Sequence, residues 1–212
     1  MNTDELIRSM AGNLVPASRV QRWALSVWIA GTGAVAILAF WILPFRADLH
    51  TRFFSFAYDA ETLLCLLAFV LSTAVAYRSV FPGALTRREV AGAWVPPLIL
   101  LGLALVRFSP EAARAEWAGE MSLYRGRCGF VILVIGALES GLLLFLARRG
   151  APTRLGLTSA WIAIAAGSLG LFVTQFFVCA YENALHLLLW HFVPVFLLMT
   201  VTLPAGRRGL RW

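Results

Sequence analysis

Sulfur, nitrogen and carboxylate side chains gather near the carboxyl end of the chain, in the stretch CAYENALHLLLWH at residues 179–191. Glu182 and His186 are four residues apart, which places them on one face of a helix close to Cys179, and His191 lies about a turn deeper. A thiolate, a carboxylate and an imidazole can together bind a soft metal ion, and a thiol can also form a disulfide. The patterns C-x-x-C and H-x-x-x-H do not occur, so the spacing alone indicates a metal site only weakly.

The same residues also have structural explanations. Glu182 and Asn183 are suited to cap the helix that follows them, because a carboxylate or amide oxygen stabilises a helix N-terminus. His186 and His191 are suited to form hydrogen bonds between helices. The sequence leaves the binding site and these structural roles open side by side.

Three further side chains in apolar surroundings could do chemistry. Cys128 follows Arg125 and Arg127, whose positive charge favours a thiolate. Cys65 is interpreted as a small packing residue inside an apolar segment. Glu139 is interpreted as a protonated, hydrogen-bonded glutamate, since no basic residue stands at a matching depth, and a transport path is the alternative.

Long apolar segments must position all of these groups. Hydrophobic residues make up 60% of the chain and charged residues 14%, and the mean hydropathy is +0.78, which is typical of membrane proteins. A helix needs about 20 apolar residues to cross about 30 Å of hydrocarbon. Segments of roughly this length occur six times, at residues 23–43, 60–79, 91–106, 128–147, 157–178 and 184–203.

The predicted fold is therefore all-α, a bundle of six transmembrane helices in a multi-pass membrane protein. We divide the chain into an amino-terminal segment (1–22), a transmembrane domain (23–204) and a basic tail (205–212). Too little chain remains outside the spans for a second core. No cleavable signal peptide is predicted, because the first apolar run is long and follows a polar segment.

The arginines predict the orientation of this bundle. The sequence has no lysine, so all 18 basic residues are arginines. Twelve of them fall in the two tails and in the second and fourth loops, and six fall in the first and third loops. The positive-inside rule therefore places both termini in the cytoplasm. Anionic lipid beside these arginines explains the net charge of +7, so no direct nucleic-acid partner is predicted.

This orientation places two of the three cysteines at one face. Cys128 begins a span that enters from outside, and Cys179 ends a span that arrives there. Both thiols are therefore predicted at the outer face, where an oxidising bacterial periplasm permits a disulfide and where thiolates can bind a soft metal ion.

Motifs of known enzyme classes do not occur in the sequence. It has no nucleophile elbow, no Gly-rich phosphate loop, no H-E-x-x-H and no redox C-x-x-C, so no catalysis is predicted. A small metal or solute permease that depends on Glu139 and a membrane thiol-redox protein remain as alternatives.

The amino-terminal segment, MNTDELIRSMAGNLVP, predicts a short amphipathic helix. Thr3 is suited to cap it, and Asp4 and Glu5 lie in its first turn. Gly12 and Pro16 weaken and end it. Its apolar stripe consists of Leu6, Ile7, Met10 and Leu14. That stripe is suited to lie on the membrane or the bundle, or to dock into a groove of a cytosolic partner.

Four stretches together resemble one protein family over essentially the whole chain. They are NTDELI at the start, ARRGAP after the fourth span, C-x-x-E-N-A-x-x-L-L-L-W-H at Cys179, and GRRGLRW at the end. In their order and placement they resemble the NrsF-type anti-sigma factors. Their number of spans and the spacing of the outer cysteines are similar as well.

The resemblance implies an inner-membrane negative regulator. Such a protein holds an extracytoplasmic-function sigma factor of the sigma-F type until envelope stress, such as heavy-metal or oxidant exposure, releases it. The regulatory cysteines would correspond to Cys128 and Cys179, joined as a reversible disulfide or by a soft metal ion, for which Glu182 and His186 are further candidate ligands. The sigma-binding residues would be Asp4, Glu5, Leu6, Ile7 and Met10. The sequence does not determine the inducing signal or whether release involves proteolysis. It also leaves open the oligomeric state, and a homo-oligomer is one of the alternatives.

Overall fold

The computed structural model is helical throughout the part of the chain that it describes, with no strand among those residues. The described residues are 17–43, 46, 48–52, 55–81, 85–150, 152–181 and 183–210. Most of the amino-terminal segment, including Asp4, Glu5, Leu6, Ile7 and Met10, lies outside them, as does Glu182.

Nine α-helices and two π-helical turns form the described fold. The helices are α1 (Ala17–Ile42), α2 (Leu49–Arg52), α3 (Phe56–Ser79), α4 (Arg87–Val106), α5 (Pro110–Glu120), α6 (Leu123–Ala147), α7 (Leu155–Val173), α8 (Ala184–His186) and α9 (Val193–Gly209). The π-helical turns are Thr174–Val178, which continues α7, and Leu187–Phe192, which joins α8 to α9. Together they build six segments that are long and apolar enough to cross a membrane, which confirms the predicted fold class.

Local sequence signals account for where several helices begin. Thr86 and Glu89 form a capping box at the start of α4, in which the Thr86 backbone N–H donates to the Glu89 carboxylate at 2.9 Å. Ser109 caps α5 directly before Pro110, and proline is well suited to a first helical turn. The helix α4 also runs through Pro96 without ending, as packing by neighbouring helices permits.

The helix α7 forms the centre of the bundle. It is buried around nearly its whole circumference, and it packs against α3, α6 and α9, while α4 packs on α3 and α1 packs mainly on α6. Small residues allow these helices to approach closely. A Cβ atom at Gly170 would lie 3.0 Å from the Ile132 carbonyl oxygen, and one at Gly206 would lie 2.1 Å from the Ser159 hydroxyl oxygen. The packing of α7 therefore fixes where its last residues, and Cys179 after them, meet the other helices.

The first and last helices extend beyond the predicted spans. α1 begins at Ala17, directly after Pro16, and so includes the end of the segment assigned to the amino-terminal region. α9 continues to Gly209 and so includes most of the basic tail. The functional division into the segments 1–22, 23–204 and 205–212 stays a prediction.

Candidate functional site

Four side chains from three different spans meet at one end of the bundle. Cys128 lies near the start of α6, Cys179 follows the π-helical turn that ends the α7 span, and His186 and His191 lie at the start of the last span. One sulfur or nitrogen atom of each residue lies within 4.8 Å of the corresponding atom of every other, and all four residues are buried. We call this group the Cys–His cluster.

The π-helical turns shape the Cys–His cluster. In an α-helix, residues five apart point about 140° away from each other, whereas in a π-helix of about 4.4 residues per turn they point only about 50° apart. The turn Leu187–Phe192 therefore brings His191 to the same side as His186, and their ring centroids are 5.5 Å apart. The turn Thr174–Val178 ends with the Cys179 N–H donating to the Thr174 carbonyl oxygen at 2.8 Å, a bond across five residues that sets where Cys179 leaves the helix.

The sulfur of Cys179 lies among polar partners. It is 3.4 Å from Nε2 of His186, and as a thiol it donates to the Tyr181 carbonyl oxygen at 3.3 Å. A hydrogen bond with Cys128 and the nearby imidazoles lower the pKa of the Cys179 thiol, although burial acts in the opposite direction. A thiol with a lowered pKa is more readily a thiolate, the form that binds metals and attacks other sulfur atoms.

A buried carboxylate holds His186 from its other side. Glu120, the last residue of α5, is fully buried, and its Oε2 lies 2.9 Å from Nδ1 of His186. Its Oε1 accepts from Asn183 Nδ2 at 2.9 Å and pairs with Arg125, while its backbone carbonyl accepts from Trp190 Nε1 at 3.0 Å. Burial raises the pKa of Glu120, but the hydrogen bonds from Asn183 and His186 outweigh it, so the pKa lies below its usual value.

An ionised Glu120 fixes how His186 is presented. A carboxylate accepts hydrogen bonds only, so Nδ1 of His186 carries the proton that Glu120 accepts. Nε2 is the ring nitrogen that faces Cys179. The backbone N–H of His186 also donates to Asn183 Oδ1 at 2.6 Å, which confirms Asn183 as the cap of α8.

His191 lies deeper and borders a small cavity. Its Nε2 is buried and has no hydrogen-bond partner among the residues that the structure describes. The cavity beside it is also lined by Gln175, by Cys65 of α3 and by the ion pair of Glu61 and Arg107. Cys65 therefore lies near the Cys–His cluster, although it is not one of the four residues that make it up.

A buried arginine from the loop between α1 and α2 braces the end of the α7 span. The Arg46 Nη1 donates to the Gln175 carbonyl oxygen at 3.4 Å, and its Nε donates to Asp48 at 2.7 Å. The hydrogen bond from Arg46 lowers the pKa of the Asp48 carboxyl to about 2. This loop therefore holds a positive charge close to the turn that precedes Cys179.

The predicted site residues fall into two groups. Cys128, Cys179 and His186 come together, and the structure adds His191. Glu182 and the amino-terminal residues lie outside the described part of the chain, so their roles stay predictions. Glu120 was not predicted as a site residue. It lies 66 positions before His186, in a loop helix whose sequence has no metal-site pattern.

Glu139 lies in a different place, between α6 and α1. It is fully buried, and its Oε1 accepts from the Thr32 hydroxyl at 2.5 Å. Its Oε2 has no partner among the described residues. A hydrogen bond to a neighbouring helix agrees with the structural interpretation of this glutamate and gives no separate support to a permease.

The Cys–His cluster is suited to two kinds of chemistry. Two sulfur atoms this close can join in a disulfide after a small movement, and none of the three cysteines is paired in the structure. Two sulfurs and two imidazoles can also ligate a soft metal ion.

A family model described as NrsF, negative regulator of sigma F, matches residues 11–212, which is nearly the whole chain. No curated protein and no solved structure matches the chain.

Proposed function

The chain belongs to the NrsF family of negative regulators of sigma F, and from this premise we propose that it is a membrane-bound anti-sigma factor for an extracytoplasmic-function sigma factor. It holds the sigma factor at the bacterial inner membrane. It releases the sigma factor when heavy metals or oxidants react at Cys128 and Cys179. The observation that carries this proposal is the burial of both thiols, from two separate spans, in one cluster with two imidazoles.

The orientation follows from the arginines. With both termini in the cytoplasm, the Cys–His cluster faces the periplasm, where metals and oxidants arrive first. The cytoplasmic surface then consists of the two tails and the second and fourth loops, which carry twelve of the 18 arginines. Signal and output therefore lie on opposite sides of the membrane, connected by the six helices.

We assign sigma binding to the amino-terminal segment. The sequence pattern predicts an amphipathic helix here, and we propose that its apolar stripe docks into a groove of the sigma factor; the residues concerned are Asp4, Glu5, Leu6, Ile7 and Met10. The family match begins at residue 11, so this assignment rests on the sequence pattern and on the resemblance of the opening NTDELI.

Release requires only a modest coupling between the two faces. A disulfide or a metal ion at Cys128 and Cys179 favours one of two helix arrangements, and the cytoplasmic surface binds the sigma factor less tightly in that arrangement. A tenfold loss of affinity corresponds to about 1.4 kcal/mol.

Membrane fractionation tests the proposal. In cells that make the full chain and a tagged sigma-F-type factor, we expect the tagged factor to sediment with membranes and to move to the soluble fraction after cadmium or diamide. A tagged housekeeping sigma factor serves as the matched control and should stay soluble throughout. If the sigma-F-type factor is soluble with or without the chain, the anti-sigma assignment is wrong.

Topology reporters test the orientation. Reporters fused after Arg88 and after Arg154 should behave as cytoplasmic, and those in the third and fifth loops as periplasmic, because of the arginine asymmetry. Paired alkaline phosphatase and green fluorescent protein fusions report the two sides with opposite signals. The reversed pattern would place the Cys–His cluster on the cytoplasmic side and rule out periplasmic sensing.

A further inference from the structure

We propose that Cys128, Cys179, His186 and His191 form a four-ligand site for one soft or borderline divalent ion of the Cd²⁺ and Zn²⁺ class, with Glu120 as a positioning residue behind His186. This inference rests on the proposed function, because it names the chemical signal at the same thiols. It takes His191 as the fourth ligand; the predicted ligand Glu182 lies outside the described residues and stays a prediction.

The spacing of the four residues fits a tetrahedral ion. Bonds of about 2.3 Å to sulfur and about 2.0 Å to nitrogen place the ligand atoms of a tetrahedral zinc site roughly 3.3 to 3.8 Å from one another. The Cys179 sulfur and Nε2 of His186 are already 3.4 Å apart, and all four ligand atoms lie within 4.8 Å of one another. A contraction of about 1 to 1.5 Å at most completes the coordination sphere.

The donor set selects the class of ion. Two sulfurs and two imidazole nitrogens suit cadmium and zinc, whereas magnesium and calcium require oxygen ligands. Cysteine binds a metal ion as the thiolate, so the two sulfurs balance the two positive charges of the ion. The resulting site has no net charge, which matters because all four ligands are buried.

The surroundings of both histidines support coordination. Glu120 holds Nδ1 of His186 and leaves Nε2 directed at the Cys179 sulfur, and such a carboxylate–histidine pair typically orients a metal ligand. Asn183, Arg125 and Trp190 fix Glu120 in turn. His191 supplies the second observation, because its buried Nε2 has no hydrogen-bond partner among the described residues.

The cavity beside His191 gives this ligand room to move towards an ion. It extends from His191 to the ion pair of Glu61 and Arg107, which lies near the same end of α3 and α4 as the Cys–His cluster.

Cadmium titration of the purified, reduced full chain in detergent tests the inference. We expect one ion per chain and a thiolate-to-cadmium charge-transfer band in the ultraviolet. Cys128→Ser or Cys179→Ser should remove the band and weaken binding at least ~100-fold. His186→Ala or His191→Ala should weaken it at least ~10-fold. Glu120→Gln should weaken binding about 10-fold yet keep the band at saturating cadmium, which a misfolded protein would lose.

The matched controls are the remaining cysteine and histidine of the chain. Cys65→Ser and His50→Ala should bind cadmium within about twofold of the parent chain. Absence of the charge-transfer band in the parent chain, or binding that survives the double variant Cys128→Ser with Cys179→Ser, would overturn the metal site. Unchanged affinity in both His186→Ala and His191→Ala would overturn the four-ligand assignment.

A parallel assay separates this inference from the proposed function. If cadmium does not bind, but diamide joins Cys128 to Cys179 in thiol-trapping gels and releases the sigma factor from membranes, the metal site is wrong and the thiol sensor stands. If neither reagent acts on the thiols or on the sigma factor, both are wrong.

Discussion

Cys128→Ser and Cys179→Ser should each abolish the induction of sigma-dependent genes by cadmium, and the double variant should behave like either single one. Both thiols belong to one cluster with ligand atoms within 4.8 Å of each other, and neither a disulfide nor a two-sulfur metal site survives the loss of one sulfur. Residues that act as a unit show non-additive effects. A transcriptional reporter fused to a sigma-dependent promoter, read before and after exposure, measures the change directly.

The third cysteine provides the control. Cys65 is buried in α3 beside the small cavity that His191 borders. Cys65→Ser therefore makes the same replacement of a buried thiol by a hydroxyl, but outside the Cys–His cluster. We expect near-normal induction from this variant. The double variant Cys128→Ser with Cys179→Ser must be present in membranes and must retain the sigma factor. If it then still responds to cadmium, the two cysteines have only a packing role.

The second large effect is expected at the amino-terminal segment. Leu6→Asp with Met10→Asp, or charge reversal at Asp4 and Glu5, should release the sigma factor without any stress. An aspartate forced into an apolar groove costs several kcal/mol when it is unpaired, and about 2.8 kcal/mol already weakens a micromolar contact roughly 100-fold. Constitutive reporter activity and loss of the sigma factor from pull-downs measure this outcome.

A matched variant separates docking from simple charge. Ser9→Asp with Gly12→Asp adds the same two negative charges to the side of the predicted helix away from the apolar stripe. This variant should retain the sigma factor. If the Leu6 and Met10 variant also retains it at normal membrane levels, the helix lies on the membrane surface and sigma binds elsewhere.

The sequence was sufficient to predict the six spans because hydropathy is a local property. Each apolar segment can be recognised without reference to the others, and each of the six predicted segments coincides with a helix long enough to cross a membrane. That the two cysteines share one end of the bundle followed from counting spans, since Cys128 begins one span and Cys179 ends the next. No contact needed to be predicted for that inference, only the order of helices along the chain.

The remaining residues of the site depend on contacts and helix distortions that a sequence pattern does not carry. His186 and His191 are five apart, a spacing that separates side chains in an α-helix, and only the π-helical turn Leu187–Phe192 unites them. Glu120 and His186 are in contact although 66 positions separate them in the sequence. The residues around Glu120 have the pattern of an ordinary polar loop helix. Asn183 was correctly predicted as a cap because capping depends on nearby residues only.

The π-helical turn in the last span also sets the rotation of α9 about its own axis. It adds one residue to a helical turn, so side chains after it face a different direction from the one that a continuous α-helix would give them. Beyond it, α9 packs through a stripe that repeats every fourth residue, Pro194, Leu198, Thr202 and Gly206. If Leu187–Phe192 became regular α-helix, the helix on one side of the turn would have to rotate by about 100° about its own axis. Either His191 would swing out of the Cys–His cluster, or the stripe would turn away from α7, where Gly206 meets Ser159 at the far end of the bundle. The angular setting of a single helix thus links the chemistry of the thiols to the opposite face of the protein.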